Sequence, residues 1–456
     1  MTNSKIIEDI DFFRKIYIEI NPYPYMFTNK KITDSLSDKI KNENELTGLE
    51  FYKRFNELIG AYNIPHMTTA SPTRFKIDMV KSGHFPLVIK LINNEVYIAS
   101  NLLDEKSILN GNKLMSINGL NADSLFFQFT KYTGGLKKWK YICAQEDYFY
   151  FLWMNDVISP FRVVYKDKIG YFHSVVLKGY YKIEKKKIKQ ENDGKVINNY
   201  KGIKANENIE YYGDYITYTR FNDSVAYIQF KSMSFHPDID YQNFLKKVFS
   251  HIKENYTSKL IIDMRGNGGG DSRSGEMLID YFAYKPYKMA GAKHWKISKA
   301  YKKNFLKQLP FFLRPLLQFF EPFKTAFKAP LDSTIKYIGG LHEPGYNSLK
   351  YNSQVYLIID NGTFSSASLT ANAIEDNDLA IIVGETGGEV VNDLGEIVPV
   401  RLPNSGIVCW IPSALFIRAN GDMNNTNPVL PDVYIEQNKL TDMSKKDIVD
   451  FIFNLK

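Results

Sequence analysis

Apolar residues recur three and four positions apart along Ile6 to Ile20 and again along Leu49 to Tyr62. The second run sets Phe51, Phe55, Leu58, Ile59 and Tyr62 on one stripe, so both are predicted to be amphipathic helices. The Asn21–Tyr25 stretch, NPYPY, ends the first helix, and the polar residues 28–46 read as a link between the two. From about Phe85 to Tyr180 the texture changes to short alternating runs such as LVIKLI, VYIAS and FRVVY with polar turns between them, which predicts a β-rich module. There, ILNG at Ile108 followed by Lys113 to Gly119 predicts a strand entering an Asn-Gly turn. Lys182 to Lys189 (KIEKKKIK) and the polar residues up to about Asn208 read as a solvated, mobile insert.

Beyond Tyr215 strands and helices alternate. Val225–Phe230 is predicted as a strand, Tyr241–Tyr256 as a helix and Lys259–Asp263 as a strand. A helix follows from about Ser272, then a strand at Val355–Ile359, a helix to Glu375 and a strand at Ala380–Val383. That order is the grammar of a mostly parallel sheet with crossover helices, an α/β fold. Three segments are therefore expected: a helical part at 1–75, a β-rich part at 76–208, and an α/β core at 209–456. The core is interrupted near 293–330 by a Phe-rich insert, and three prolines between Phe305 and Phe327 argue for a lid or packed cap there rather than one long amphipathic helix.

The stretch Val355 to Ser366, VYLIIDNGTFSS, carries the first candidate chemistry. A short β-branched run without alternation suits a strand covered on both faces, Asp360-Asn361-Gly362 breaks it, and a helical pattern starts at Ser365. A serine at that place projects from the carboxyl edge of the sheet beside the free N–H groups of a new helix. Those groups favour a nucleophilic oxygen and the oxyanion it creates. On this stretch alone the default for Ser365 and Ser366 is simply to cap the helix, as serines at helix starts usually do.

Composition narrows the field. With 456 residues, 44% of them hydrophobic and 24% charged, the chain is globular and long enough for two or three domains. A formal charge of +8 is spread over 58 basic and 50 acidic residues, too diffuse to point to nucleic acid. Cys143 and Cys409 have no metal-binding spacing and allow at most one disulfide. No apolar run is long enough to span a membrane. The start, MTNSKIIEDIDFF, lacks the layout of a secretory leader; either the protein stays inside the cell or a leader was removed.

The second strong feature is Asp263 to Gly270, DMRGNGGG, where consecutive glycines after a strand let backbone N–H groups approach a ligand. A phosphate cradle lacks its Walker lysine and the spacing misses the dinucleotide-binding fingerprint, which leaves an oxyanion hole. In a parallel sheet this loop and Ser365 leave neighbouring strand ends and can face one cavity.

Three motifs in this order, DMRGNGGG at Asp263, NGTFSSAS at Asn361 and VGETGGE at Val383, resemble the tail-specific (carboxyl-terminal processing) serine peptidases. The likeness is closer to the branch of the tricorn core protease and interphotoreceptor retinoid-binding protein than to the Ser-Lys processing peptidases. It covers roughly Tyr215 to the end, with Asn63-Ile64-Pro65-His66-Met67 and Pro431-Asp432 in keeping. The resemblance implies a crotonase- or Clp-like core with a PDZ-like middle module, cleaving peptides or unfolded protein tails without metal or organic cofactor. It puts Ser365 at the nucleophile position and the amides of Ser366 and of Gly268 or Gly269 at the oxyanion hole.

Two departures shape the rest. Processing relatives place a lysine just after the VGETGGE-type turn, where this chain has Glu389 or Val390; no lysine follows until Lys439. An exposed carboxylate is too weak a base to replace it. The tricorn branch instead uses a histidine from the N-terminal helical region, and His66 stands there with suitable basicity. Its orienting partner is less determined. Pro65 replaces the serine before the histidine, Asn425 or Asn427 replaces an acidic residue, and Glu385 and Glu389 remain, of which Glu389 is preferred over a reading as a solvated loop charge. His294-Trp295 reads as packing. Two rivals stay open: a non-catalytic ligand- or peptide-binding protein on this scaffold, and an acyl-CoA enzyme with the same oxyanion geometry.

Overall fold

In the computed structural model the described residues are all but 104–109, 182–207, 212–214, 222–223, 308–322, 346 and 456. They form two compact units: Met1–Lys195 with Lys296–Thr334 and Glu396–Ala414, and Val196–Trp295 with Ile335–Gly395 and Leu415–Lys456. The helical start and the β-rich module thus share a unit, to which two later segments return, a division unlike the three consecutive segments expected. The 182–189 charge run with most of its polar continuation, the Ile108-Leu109 part of ILNG and the proline-bearing middle of the Phe-rich segment lie outside the described residues. Among the described residues no helix is long and apolar enough to cross a membrane. Both cysteines are free thiols, so the allowed disulfide does not form.

In the first unit the two predicted helices run Asn3–Ile20 and Gly48–Ala61, the latter opened by a Thr47–Glu50 capping box. Their apolar stripes meet where Phe13 packs edge-on against Phe55 at 5.0 Å. The stretch between them is not merely a link, because Lys30–Lys41 is a third helix, capped by Asn29. It buries Thr33, Ser37 and Ile40, and the two hydroxyls donate to carbonyls of their own helix, so its inner face is too polar for hydrophobic periodicity to register.

The β-rich module holds a six-stranded antiparallel sheet of Leu87–Ile92, Glu95–Asn101, Lys113–Ile117, Phe161–Lys166 and Phe172–Leu177, with the short Leu120–Asn121 paired to Lys113–Ile117. Asn118 and Gly119 both take positive φ, 49° and 82°, as the tight hairpin turn predicted there requires. The module also contains three helices absent from the expectation, Ala122–Phe129, Lys137–Glu146 and Tyr148–Met154. Runs such as FFQF and YFYFLWM read as strand by propensity. Ring packing such as Phe129 on Tyr148 at 5.4 Å decides for helix. The chain later returns to the N-terminal helix, where buried Asp9 accepts the N–H groups of Asn404 at 2.8 Å and Ser405 at 2.9 Å.

The second unit is the predicted α/β core. Its seven-stranded sheet runs Val433–Tyr434, Ile381–Gly384, Gln354–Ile359, Lys259–Asp263, Val225–Phe230, Ile216–Phe221, Asn208–Tyr211. The first five strands pair in parallel and the last two antiparallel. Leu260, Ile262, Leu357 and Ile359 face one core with Phe244, Val248, Ala367, Ala371 and Ile374 of two crossover helices. Ile261, Tyr356, Ile358 and Val383 face the other with Leu440, Ile448 and Ile452 from the C-terminal helices. Burial on both faces is why these strands read as unbroken apolar runs.

Candidate active site

Three loops leave the carboxyl ends of adjacent parallel strands. Asp263 pairs with Ile358 and Ile359 with Gly384, so the loops beginning at Met264, Asp360 and Glu385 emerge side by side. They are laced together. The Asp360 carboxyl accepts the N–H of Gly266 at 2.8 Å and of Gly362 at 2.9 Å, and Thr363 Oγ1 donates to the Met264 carbonyl at 3.0 Å. The Gly388 N–H reaches the Thr363 carbonyl at 2.9 Å, and Asn361 Nδ2 reaches that of Thr386 at 2.9 Å. Burial, first among several causes, pushes the Asp360 carboxyl above the usual carboxylate range, while the Gly266 and Gly362 amides oppose that shift.

Ser365 sits at the start of the Ser366–Asp376 helix with φ 57° and ψ −128°, and its side chain makes no capping hydrogen bond. This overturns the capping alternative: the residue occupies the cap position without doing the cap's work. A non-glycine residue in that region costs about 1–3 kcal/mol, and such strain is typical of a sharp strand-to-helix turn that thrusts a serine outward. Ser366 does not cap either; its hydroxyl donates to the Gly270 carbonyl at 2.6 Å, tying the turn to the glycine loop.

The glycine loop comes into contact with this turn. A Cβ on Gly269 would stand 2.7 Å from Ser365 Cβ and 2.8 Å from Ser366 N, and φ there is +89°, so only glycine fits. Asn267 fixes the loop: it is fully buried, its Nδ2 donates to the Phe230 carbonyl at 2.7 Å, and its own carbonyl accepts the Phe364 N–H at 2.9 Å. Its Oδ1 accepts the Gly269 N–H at 2.9 Å, so that amide is already engaged. Of the candidate donors Gly268, Gly269 and Ser366, the amides of Gly268 and Ser366 have no acceptor among the described residues, and a Cβ on Gly268 would meet open space.

The carboxylates also sort themselves. Glu385 is buried, accepts the Tyr434 hydroxyl at 2.9 Å and the Thr386 N–H at 2.9 Å, and is a structural strut. Glu389 is not a solvated loop charge: it is only 5% exposed. Burial first, then the charge and hydrogen bonding of Asp393, push its carboxyl well above the usual range, against the Ser365 N–H and the Ser368 hydroxyl, which favour the charged form. Ser365, Ser366, Gly268, Gly269 and Glu389 are thus gathered in the second unit.

His66 belongs to the first unit, half-buried between the Gly48–Ala61 helix and the short strand Thr68–Ala70. The strand pairs antiparallel with Val408–Trp410. Upstream, the turn lies on Gly134, where a Cβ would come within 2.4 Å of Ile64 N, and the Gly135 N–H donates to the Asn63 carbonyl at 3.1 Å. His294 and Trp295 are buried in the strand Ala292–Lys296, in keeping with packing. Asn392 Nδ2 donates to the carbonyls of Asp422 and Asn425, both at 2.9 Å, and the Asn427 carbonyl accepts the Val391 N–H, which gives this asparagine-rich loop a bracing role.

Sequence reasoning passed over Asp360, Asn267, Ser368 and Asp393. For the first two a local signal existed, since Asp360 and Thr363, and Asn267 and Gly269, are spaced as side chains that bond to nearby backbone. Asp393 carried no such sign.

Residues 224–435 match the model of peptidase family S41. No curated protein matches this chain. Among solved structures, mature CPAF is 16% identical with a TM-score of 0.67, covering 99% of this chain and 96% of that one. CPAF complexed with lactacystin is 15% identical with a TM-score of 0.67, covering 99% and 97%. At such identities these likenesses establish the fold alone. The family match is different, because it spans all three laced loops. Over residues 224–435 this chain thus matches peptidase family S41, and the protein is a serine-type peptidase.

Proposed function

We propose that the protein hydrolyses peptides or unfolded protein tails by acyl-enzyme chemistry, with Ser365 as nucleophile and His66 as general base. His66 takes the Ser365 hydroxyl proton as the oxygen attacks the scissile carbonyl, and the N–H groups of Gly268 and Ser366 hold the oxyanion. His66 then protonates the leaving amine. Water, activated by the same imidazole, releases the acyl group and regenerates Ser365. Glu389 orients the imidazole. The observation that carries this reading is the Ser365 turn, whose hydroxyl is withheld from capping and whose strained backbone is packed on Gly269.

A fluorophosphonate probe tests it on the full chain, with the modified residue located by mass spectrometry. Labelling of wild type at Ser365, loss of labelling in Ser365→Ala and strong slowing in His66→Ala are the expected results. Folded wild type that resists the probe would sink the proposed chemistry and favour a binding role for the scaffold.

A further inference from the structure

Beneath the Ser365 turn lies a second buried carboxyl that the chemistry above does not use. Asp393 opens the strand Asp393–Arg401 and, like Glu389, is only 5% exposed. Oxygens of the two carboxyls lie within 4.8 Å of each other. One Asp393 oxygen is pinned by the Leu394 N–H at 2.7 Å, which fixes the side-chain rotamer. The backbone beneath it is pinned as well. Asn392 is fully buried, and besides its two bonds to the Asp422 and Asn425 carbonyls it accepts the Arg418 N–H at 2.9 Å.

Glu389 is therefore held from two directions. On one side are the Ser365 N–H and the hydroxyl of Ser368, a residue 2% exposed and one helical turn beyond Ser365. On the other is Asp393. Burial, then the charge and hydrogen bonding of Asp393, favour the protonated Glu389 carboxyl. That proton and the pinned Asp393 oxygen settle where the Glu389 carboxyl points.

We infer that Asp393 is a positioning residue of this peptidase, acting through Glu389: it clamps that carboxyl in one orientation beneath the Ser365 turn. The inference rests on the reading of Ser365 as nucleophile and Glu389 as the orienting carboxyl. The contribution assigned to Asp393 is geometry: losing it lets Glu389 swing while Ser365 and its glycine loop stay in place.

The rate constant of fluorophosphonate labelling at Ser365, measured on folded full-length protein, reads this effect without knowledge of the cleavage site. Asp393→Ala is expected to slow labelling about 10- to 100-fold, the scale of loss when a supporting group misplaces catalytic geometry. Asp393→Asn, which still bonds to Glu389 and to the Leu394 N–H, is expected to restore most of the rate. A merely structural role would lower the folded fraction and leave the rate per folded molecule unchanged. If Asp393→Ala does not fold, Asp393→Glu decides: moving the carboxyl by one methylene should also slow labelling about tenfold. Wild-type rates in the folded variants overturn the inference, as does an Asn variant as slow as Ala, which would make charge rather than position the contribution. Wild type that is not labelled at Ser365 removes the underlying reading and this inference with it, whereas labelled wild type with indifferent Asp393 variants removes only the inference.

Discussion

Two serines open helices in the α/β unit and do opposite things there. Ser444 has φ −69° and ψ 170°, its Oγ accepts the Asp447 N–H at 3.2 Å, and Asp447 answers by accepting the Ser444 N–H at 2.8 Å. Ser365 stands in the same position of its helix with φ 57° and bonds to none of its amides. A capping serine spends its hydroxyl on local stability. A serine in a strained turn, packed on a glycine loop, leaves its hydroxyl off those amides, as the proposed nucleophile requires. Helix starts with the same residue are therefore separated by backbone conformation, not by composition.

The sharpest way to break this contrast is to remove the two hydroxyls in turn. Ser365→Ala should lower proteolytic activity by about 10⁴-fold or more, as loss of a nucleophile does, with little change in thermal stability because no cap is lost. Cleavage of a fluorescein-labelled casein and a melting curve report both; retained activity would place the nucleophile elsewhere. Gly269→Ala should come next, costing about 1–3 kcal/mol of stability through backbone strain and lowering activity as the clash with Ser365 distorts the turn. Gly268→Ala, whose Cβ meets open space, should be nearly neutral for folding. Ser444→Ala should destabilise by about 1 kcal/mol and leave turnover unchanged, the mirror of Ser365→Ala.

The smallest effect concerns protons. Glu389 keeps its proton in the folded protein at a pH where the unfolded chain has lost it, so the folded state binds more protons there. Its contribution to stability is present below the ordinary carboxylate range and declines as pH rises through the raised value. Melting curves between about pH 4 and 8 should show a steeper decline for wild type than for Glu389→Gln. Parallel curves would contradict the buried proton.

Much of this was legible beforehand. The run Val355–Ile359 declared a strand buried on both faces, and the DMRGNGGG and NGTFSSAS turns declared their loops, because glycine and Asx chemistry act over a few residues. The three helices of the β-rich module were hidden because their aromatic residues favour strands until their rings find one another. The Lys30–Lys41 helix was hidden because it buries hydroxyls instead of methyls. At the site, Ser365 was visible but its use was not: SSAS lacks the acidic third residue that Ser444 and Thr47 possess, a capping-box absence that marks it only in hindsight.

By itself, the sequence determined four of the five parallel strands of the α/β core, their order along the chain and the loops that carry the candidate chemistry, since hydrophobic period and turn residues are local properties. Only the tertiary structure decided that Ser365 is strained rather than capping, that the Gly269 amide is taken by Asn267, that Glu385 is a strut, and that Glu389 is buried against Asp393. Each of those outcomes depends on which groups meet across a sheet edge and how much water is left between them. Neither quantity is written in the spacing of residues along a chain.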